Sequence, residues 1–249
     1  MDTFRIILSC IDLTTLEGSD NTEKIVQLCR KAVSFGESGL PLPAAVCVYP
    51  PFVRLAKKEL NGTGVRVAAV AGAFPSGQSP LPVRVQEVLY TVREGADEID
   101  MVISRGRLLE GDERYVFDEI AAIREACREI HLKVILETGE LKTSSLIRRA
   151  SEIAIAAGAD FIKTSTGKIQ PAATEEAMEI MLEVIRDHHQ KTGRQIGIKP
   201  AGGISEPKQA LQYYRLTERI LGSAWLNPEH FRIGASRLAD ALAKEIVLH

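Results

Sequence analysis

The sequence predicts a single (β/α)8 barrel formed by residues 1–249. Three observations predict it. Short apolar runs alternate with longer amphipathic stretches, the pattern of parallel strands joined by crossover helices. Eight such runs fall within 249 residues, which is the arithmetic of this barrel. No linker, low-complexity tract or long repeat divides the chain. An open doubly wound sheet is the alternative, but it usually has fewer strands and binds its ligand at a switch point.

The strand runs, in order, are FRIILSCID (4–12), AAVCVYP (44–50), VRVAAVAG (65–72) and EIDMVI (98–103), followed by HLKVILE (131–137), DFIKTS (160–165), QIGIKPAGG (195–203) and RILGSA (219–224). The helical stretches are 21–36, a short one at 51–59, 81–95, 112–129, 144–158 and 174–193. A last helical run follows IGAS (233–236). Asn21, Ser144 and Thr174 open helical runs as N-caps. Gly95, Gly158 and Gly193 follow helical runs, where a left-handed closing residue is favoured.

Composition narrows the function. With 45% hydrophobic residues the chain can bury a large core, and a net charge of −2 supplies no general basic field for nucleic acid or acidic membranes. Cys10, Cys29, Cys47 and Cys127 form no CxxC pair and no metal spacing with histidine, so they read as buried reduced thiols. The longest apolar runs are too short to span a bilayer. The start, MDTFRIILSCID, carries an acid and runs into a strand, which is no signal peptide. The expectation is a cytoplasmic protein without metal or cofactor.

Strand parity then selects residues. In a barrel one parity of each strand faces the helices and the other faces the interior. Placing Ile99, Met101 and Ile103 outward turns Glu98, Asp100 and Val102 inward. The same operation puts Cys47, Lys133, Lys163 and Lys199 inside. The first strand ends on Asp12 but is apolar on both parities, so its sense stays open. Several inward lysines with one or two carboxylates are a poor way to build a core, because buried charge must be paired. Such residues, in the C-terminal halves of barrel strands, line the face where barrel enzymes hold their active sites.

A lysine attacks a carbonyl only when neutral, and its ordinary pKa of about 10.4 keeps it protonated at pH 7. Desolvation and a second cation both lower that value. Two lysines on neighbouring strands therefore suit Schiff-base chemistry, with a carboxylate such as Asp100 relaying protons. The residues alone leave open which lysine attacks. A non-catalytic alternative has the lysines only neutralising a bound phosphate. Glycines in STGK, PAGGIS and IGAS let backbone N–H groups approach an anion. In barrels a phosphate often sits at the loops after the last two strands, where Gly202, Gly203, Gly234, Ala235 and Ser236 fall and Lys168 adds charge.

Taken in order, DLTTL (12–16), VCVYP (46–50), GADEIDMVI (95–103), KVILETGEL (133–141), GADFIKTSTGK (158–168), GIKPAGGI (197–204) and GAS (234–236) resemble the deoxyribose-phosphate aldolase family over nearly the whole chain. That resemblance implies a class I aldolase with the barrel fold, needing no cofactor. It would interconvert 2-deoxy-D-ribose 5-phosphate with acetaldehyde and D-glyceraldehyde 3-phosphate in deoxyribose catabolism. It implies Lys163 as the Schiff-base lysine, Lys199 as the lysine that perturbs it, and Asp100 as the proton-transfer carboxylate. Asp12, Thr14 and Cys47 match pocket positions, and Thr166 lies in the same motif; Gly167, Lys168, Gly202, Gly203 and Ser236 match the phosphate side, where Gly234 also falls. A homodimer is expected, with sugar phosphate and aldehyde as its only partners. Three features depart from the family pattern. Ser205 stands where arginine is common, and Arg237 where serine is common. Some members end in a tail with a tyrosine implicated in proton transfer, whereas the last residues here are KEIVLH.

Overall fold

The computed structural model describes residues 3–248. Eight parallel strands form one sheet in the order β7-β6-β5-β4-β3-β2-β1-β8. They are β1 (Ile11–Thr14), β2 (Ala45–Val48), β3 (Arg66–Val70), β4 (Glu98–Val102), β5 (His131–Ile135), β6 (Phe161–Lys163), β7 (Gly197–Lys199) and β8 (Ile233–Ala235). Bridges Ile198↔Phe231 and Ala201↔Gly234 bring the two ends together and close the barrel.

The helices form the outer ring. The first half of the chain carries α1 (Thr3–Ser9), α2 (Thr22–Glu37), α3 (Val53–Glu59), α4 (Leu81–Arg93), α5 (Arg105–Leu109) and α6 (Glu113–Cys127). The second half adds α7 (Thr138–Leu141), α8 (Ser144–Ala156), α9 (Glu175–Thr192), α10 (Pro207–Leu221) and α11 (Leu238–Leu248). Their apolar stripes bury against outward strand residues such as Ile99, Met101, Leu132, Val134, Ile162 and Ile198 in one continuous core. Among the described residues no helix is long and apolar enough to cross a membrane.

Local chemistry sets the helix ends. Asn21 accepts from the Lys24 amide, and Thr174 from the Ala177 amide, each satisfying a first-turn N–H. Gly193 closes α9 in the left-handed region at φ 74°. At the start of α8 the capping residue is Thr143, whose side chain accepts from the Leu146 amide. Ser144, expected as the cap, is instead the first helical residue.

Two expected strands are corrected. Residues 4–9 are helical, and only Ile11–Thr14 form β1. An apolar run without alternation suits a buried helix as well as a strand, and here α1 packs against α10 and α11. Residues 219–224 are not the eighth strand. Arg219–Leu221 complete α10, Gly222 ends it at φ 85°, and a 3₁₀ turn follows over Ser223–Trp225. The eighth strand lies in IGAS, expected only as a loop before the last helix. At three residues it is too short to show a period.

Two apolar fillings occupy part of the barrel interior. Ala45, Cys47, Ala68 and Val70 form a small apolar cluster on the β2–β3 side. Phe161 fills the opposite wall, where a Cβ on Gly197 would lie 2.3 Å from its ring. Only glycine leaves room for that ring, so the β7 strand begins on glycine for packing reasons.

Candidate active site

Three carboxylates and four cations occupy the remaining interior. Asp12, Glu98, Asp100, Lys133, Lys199 and Arg232 are fully buried, and Lys163 is nearly so. They come from six of the eight strands or their immediate flanks: Asp12 on β1, Glu98 and Asp100 on β4, Lys133 on β5, Lys163 ending β6, Lys199 ending β7, and Arg232 just before β8. Parallel register aligns them, since Asp100 pairs with Lys133 and Lys163 with Lys199 across adjacent strands. The first strand's sense is thereby settled, with Asp12 facing in.

Asp100 is the hub. Its Oδ2 accepts from both Lys163 Nζ and Lys199 Nζ at 2.7 Å, and its Oδ1 accepts from Lys133 Nζ at 3.0 Å. Lys199 also donates to Asp12, and Lys133 donates to Glu98. Arg232 holds Asp12 Oδ1 at 2.6 Å and spans Glu98 with bonds of 2.7 and 3.1 Å. Within this network Lys163 is the lysine with a single carboxylate partner.

Proton affinities follow from these contacts. Burial presses all the lysines toward neutrality. For Lys199 the burial effect is overcome by Asp100 and Asp12, which hold its pKa above the ordinary range. For Lys133 it is overcome by Asp100, Glu98 and Asp12. Lys163 is pushed down by burial, is only partly restored by Asp100, and is pressed further down by Lys199. The carboxylates show the converse. Burial opposes their ionisation, but Lys133, Lys163 and Lys199 hold Asp100 well below the carboxylate range. Lys133 and Arg232 likewise bring Glu98 to about 2 against burial. Burial, and then the Asp100 charge, push the Cys47 thiol up to about 11, so it stays protonated.

Above the network a cavity of about 210 Å³ opens at the C-terminal end of the barrel. Of the three buried lysines only Lys163 lines it. Thr14, Thr166, Gly167, Lys168, Gly202, Gly203, Gly234 and Ser236 form its walls, with Ser205 and Arg237 beside them. Gly202 has φ 87°, and a Cβ there would meet Ala172 Cβ at 2.6 Å and Gly167 Cα at 3.1 Å. Glycine is needed at that position for the two loops to meet. Thr166 donates to the buried Glu137 carboxylate, and its Oγ1 accepts from the Lys168 amide at 3.1 Å, which fixes the STGK loop.

Of the site residues expected from the sequence, Thr14, Lys163, Thr166, Gly167, Lys168, Gly202, Gly203, Gly234 and Ser236 line this cavity, and Asp12, Cys47, Asp100 and Lys199 are buried beneath it. Cys47 is inward and fully buried below the cavity beside Asp100 and both lysines. The sequence reading missed Arg232, because the strand it precedes had been placed elsewhere. It also missed Glu17, an exposed loop residue whose carboxylate takes Lys168 Nζ at 2.9 Å across the cavity mouth. Among the described residues no group of three or more His, Cys, Asp or Glu is arranged to hold a metal ion. A weakly basic amine at the floor of a cavity, with a carboxylate attached and backbone N–H groups in the rim, can attack a carbonyl and shuttle protons.

The chain is similar to known proteins over most of its length. The model for the DeoC/LacD family of aldolases matches residues 6–214. The deoxyribose-phosphate aldolase of Homo sapiens is 46% identical over 252 residues, covering 96% of this chain and 79% of that protein. The deoxyribose-phosphate aldolase of Bos taurus is 44% identical over 255 residues, covering 97% and 80%. The tetrameric deoxyribose phosphate aldolase structure from Aeropyrum pernix superposes with a TM-score of 0.77 over 99% of this chain and 92% of that one. At 24% identity it speaks for the fold, a TIM barrel. With a family match over most of its length and relatives this similar, the chain belongs to the DeoC/LacD family of aldolases and is a carbon–carbon lyase.

Proposed function

We propose that the protein reversibly cleaves 2-deoxy-D-ribose 5-phosphate to acetaldehyde and D-glyceraldehyde 3-phosphate through a Schiff base on Lys163. One observation carries this. Lys163 is the buried lysine that reaches the cavity, and it is also the one whose proton affinity is lowered. The names of the human and bovine relatives support the substrate.

The chemistry runs on this chain's own residues. Neutral Lys163 Nζ adds to the aldehyde carbon of the open sugar, and loss of water gives the iminium. The iminium draws the electron pair of the C2–C3 bond as that bond breaks, while the 3-hydroxyl gives up its proton. Asp100, bonded to Lys163, is placed to relay that proton, directly or through water. The enamine then takes a proton at C2, and water releases acetaldehyde and free Lys163. Lys199 stays cationic throughout and keeps Lys163 from holding its proton between turnovers. The Gly167, Gly202, Gly203 and Gly234 backbone, with Ser236, Lys168 and Arg237, forms the phosphate side.

Borohydride reduction in the presence of acetaldehyde or deoxyribose 5-phosphate tests the reading. A covalent adduct on Lys163, located by peptide mass spectrometry, is the expected result. Folded protein with no adduct there refutes it.

A second reading is favoured by Glu17, which occupies Lys168 in the phosphate side of the cavity, and by Ser205 in place of a cation. In that reading the same Schiff-base chemistry serves an unphosphorylated aldehyde or another sugar phosphate. Comparing kcat/KM for deoxyribose with and without its phosphate separates the two. The assembly proposed with the first reading is a cytoplasmic homodimer, which sedimentation and cell fractionation test.

A further inference from the structure

The buried network extends far below the cavity. Glu98 opens β4 at the N-terminal pole of the barrel, where it borders a separate cavity with Arg66, His131 and Glu229. Arg232 sits beside it, donating from both terminal guanidinium nitrogens to the Glu98 carboxylate and lying near the Phe161 ring. Neither Glu98 nor Arg232 lines the active-site cavity. Nothing in the chemistry proposed above uses them.

Their charges nevertheless enter one sum with Lys163. The seven buried groups contain three carboxylates, Asp12, Glu98 and Asp100, and three cations with strong pairing, Lys133, Lys199 and Arg232. These six balance. Lys163 is the seventh, so protonating it leaves an unmatched positive charge inside the barrel. At the lower rim Arg66 pairs with Glu229 as well as touching Glu98, so that outer pair closes on itself.

We propose that Glu98 and Arg232 are positioning residues that set the proton affinity of Lys163 by fixing the net charge of the network, without touching substrate. The proposal rests on Lys163 being the Schiff-base lysine. The coupling path is continuous. Lys163 faces Asp100, Lys199 and the Cys47 thiol. Asp100 passes the influence to Lys133, and Lys133 bonds Glu98. Asp12 gives a second route, from Lys199 to Arg232. The other groups facing this end are Cys10 near Arg232, and Arg66 and His131 near Glu98, the latter at 3.9 Å. In a coupled network of this kind the apparent pKa belongs to all members, and a buried charge three or four contacts away still counts.

The sign of each change distinguishes this role from simple bracing of the fold. Losing the Glu98 charge leaves excess positive charge, so Lys163 gives up its proton more readily. Losing the Arg232 charge leaves excess negative charge, so Lys163 holds its proton more firmly. A merely structural pair, broken from either side, shifts nothing or shifts both variants the same way.

The experiment measures the rate of borohydride-trapped acetaldehyde adduct on Lys163 across about pH 5 to 10.5, a window that reaches up to the ordinary lysine value. The proteins are wild type, Glu98→Gln, Arg232→Met, Arg232→Lys and the Glu98→Gln/Arg232→Met double variant. The half-point is expected to fall in Glu98→Gln and to rise in Arg232→Met, each by on the order of one pH unit. It is expected to stay in Arg232→Lys and to return toward wild type in the double variant. Unmoved half-points, or both single variants moving the same way, overturn the proposal. If Arg232→Met does not fold, the near-isosteric Glu98→Gln decides, since an unmoved or raised half-point there is equally fatal. If wild type itself yields no adduct on Lys163, the Schiff-base assignment fails and carries this inference with it.

Discussion

Lys163 and Lys199 stand side by side in register on β6 and β7 and donate to the same oxygen of Asp100 at the same 2.7 Å. Their protonation nevertheless diverges. Lys199 has Asp12 as a second carboxylate, and among the described residues Lys163 has none. One shared oxygen cannot neutralise both amines, so the better-paired lysine keeps its proton and the other is pressed to release it.

Replacing Lys163 by methionine is expected to lower kcat/KM by about 10³-fold or more, the scale of losing a covalent nucleophile. The same change should stabilise the fold by roughly 1–2 kcal/mol near pH 7, because a buried amine with lowered proton affinity opposes folding wherever it must be protonated or desolvated. That gain should fade as pH rises toward the ordinary lysine pKa of about 10.4, where the unfolded chain also loses the proton. Urea titrations at several pH values with steady-state assays check both halves.

Lys199→Met removes the cation that presses on Lys163 and frees Asp100 to favour its protonation. The acid limb of the kcat/KM profile is expected to move to higher pH by about one to two units, with Lys199→Arg moving it far less. A limb that stays in place with Lys199→Met would rule out the electrostatic role.

Glu17→Gln should release Lys168 from its 2.9 Å contact. KM for deoxyribose 5-phosphate is expected to fall by up to roughly fivefold, since an exposed ion pair is worth up to about 1 kcal/mol and phosphate then meets no competing carboxylate. KM for unphosphorylated deoxyribose should not change. Side-by-side kinetics on the two substrates read this out.

Acid unfolding should be steep. The folded-state pKa of Glu98 is about 2, and those of Asp12 and Asp100 are also lowered. Carboxylates with depressed folded values add stability that is complete above their unfolded pKa, about 4. That stability is lost as pH falls toward the folded values, because only the unfolded chain binds the protons there. Circular dichroism should therefore show unfolding between about pH 4 and pH 2, and Glu98→Gln should flatten the pH dependence of stability in that window.

Gly197→Ala places a methyl group against the Phe161 ring. Overpacking of this kind destabilises by about 1–3 kcal/mol. For a chain of this length the melting temperature should drop by roughly 2–4 °C for each kcal/mol. Scanning calorimetry checks it, and pairing the change with Phe161→Leu should recover most of the loss.

Much of the site was visible in the sequence because strand parity is a local, two-residue rule. Once Ile99 and Met101 are turned outward, Asp100 must face in, and the same step places Lys133, Lys163 and Lys199. Asp12 could not be oriented this way. The residues before it show no strand alternation because Thr3–Ser9 form a helix, with Ile7 and Leu8 on its buried side. Arg232 was hidden by length, as a three-residue strand has no period, and the nearby apolar residues Ile220 and Leu221 belong to the stripe of α10. Glu17 meets Lys168 across 151 positions of sequence, and no local pattern reports such a contact.

The two bridges that close the barrel between β7 and β8 have a mechanical consequence. Seven neighbouring strand pairs are laced by ladders of three to five residue pairs, whereas this junction is riveted at two isolated points. The hoop is thinnest there, beside Lys199 and the glycine rim. Slow breathing of the wall should start at that joint, and amide exchange at Ile198 and Gly234 should betray it ahead of the β2–β5 strands.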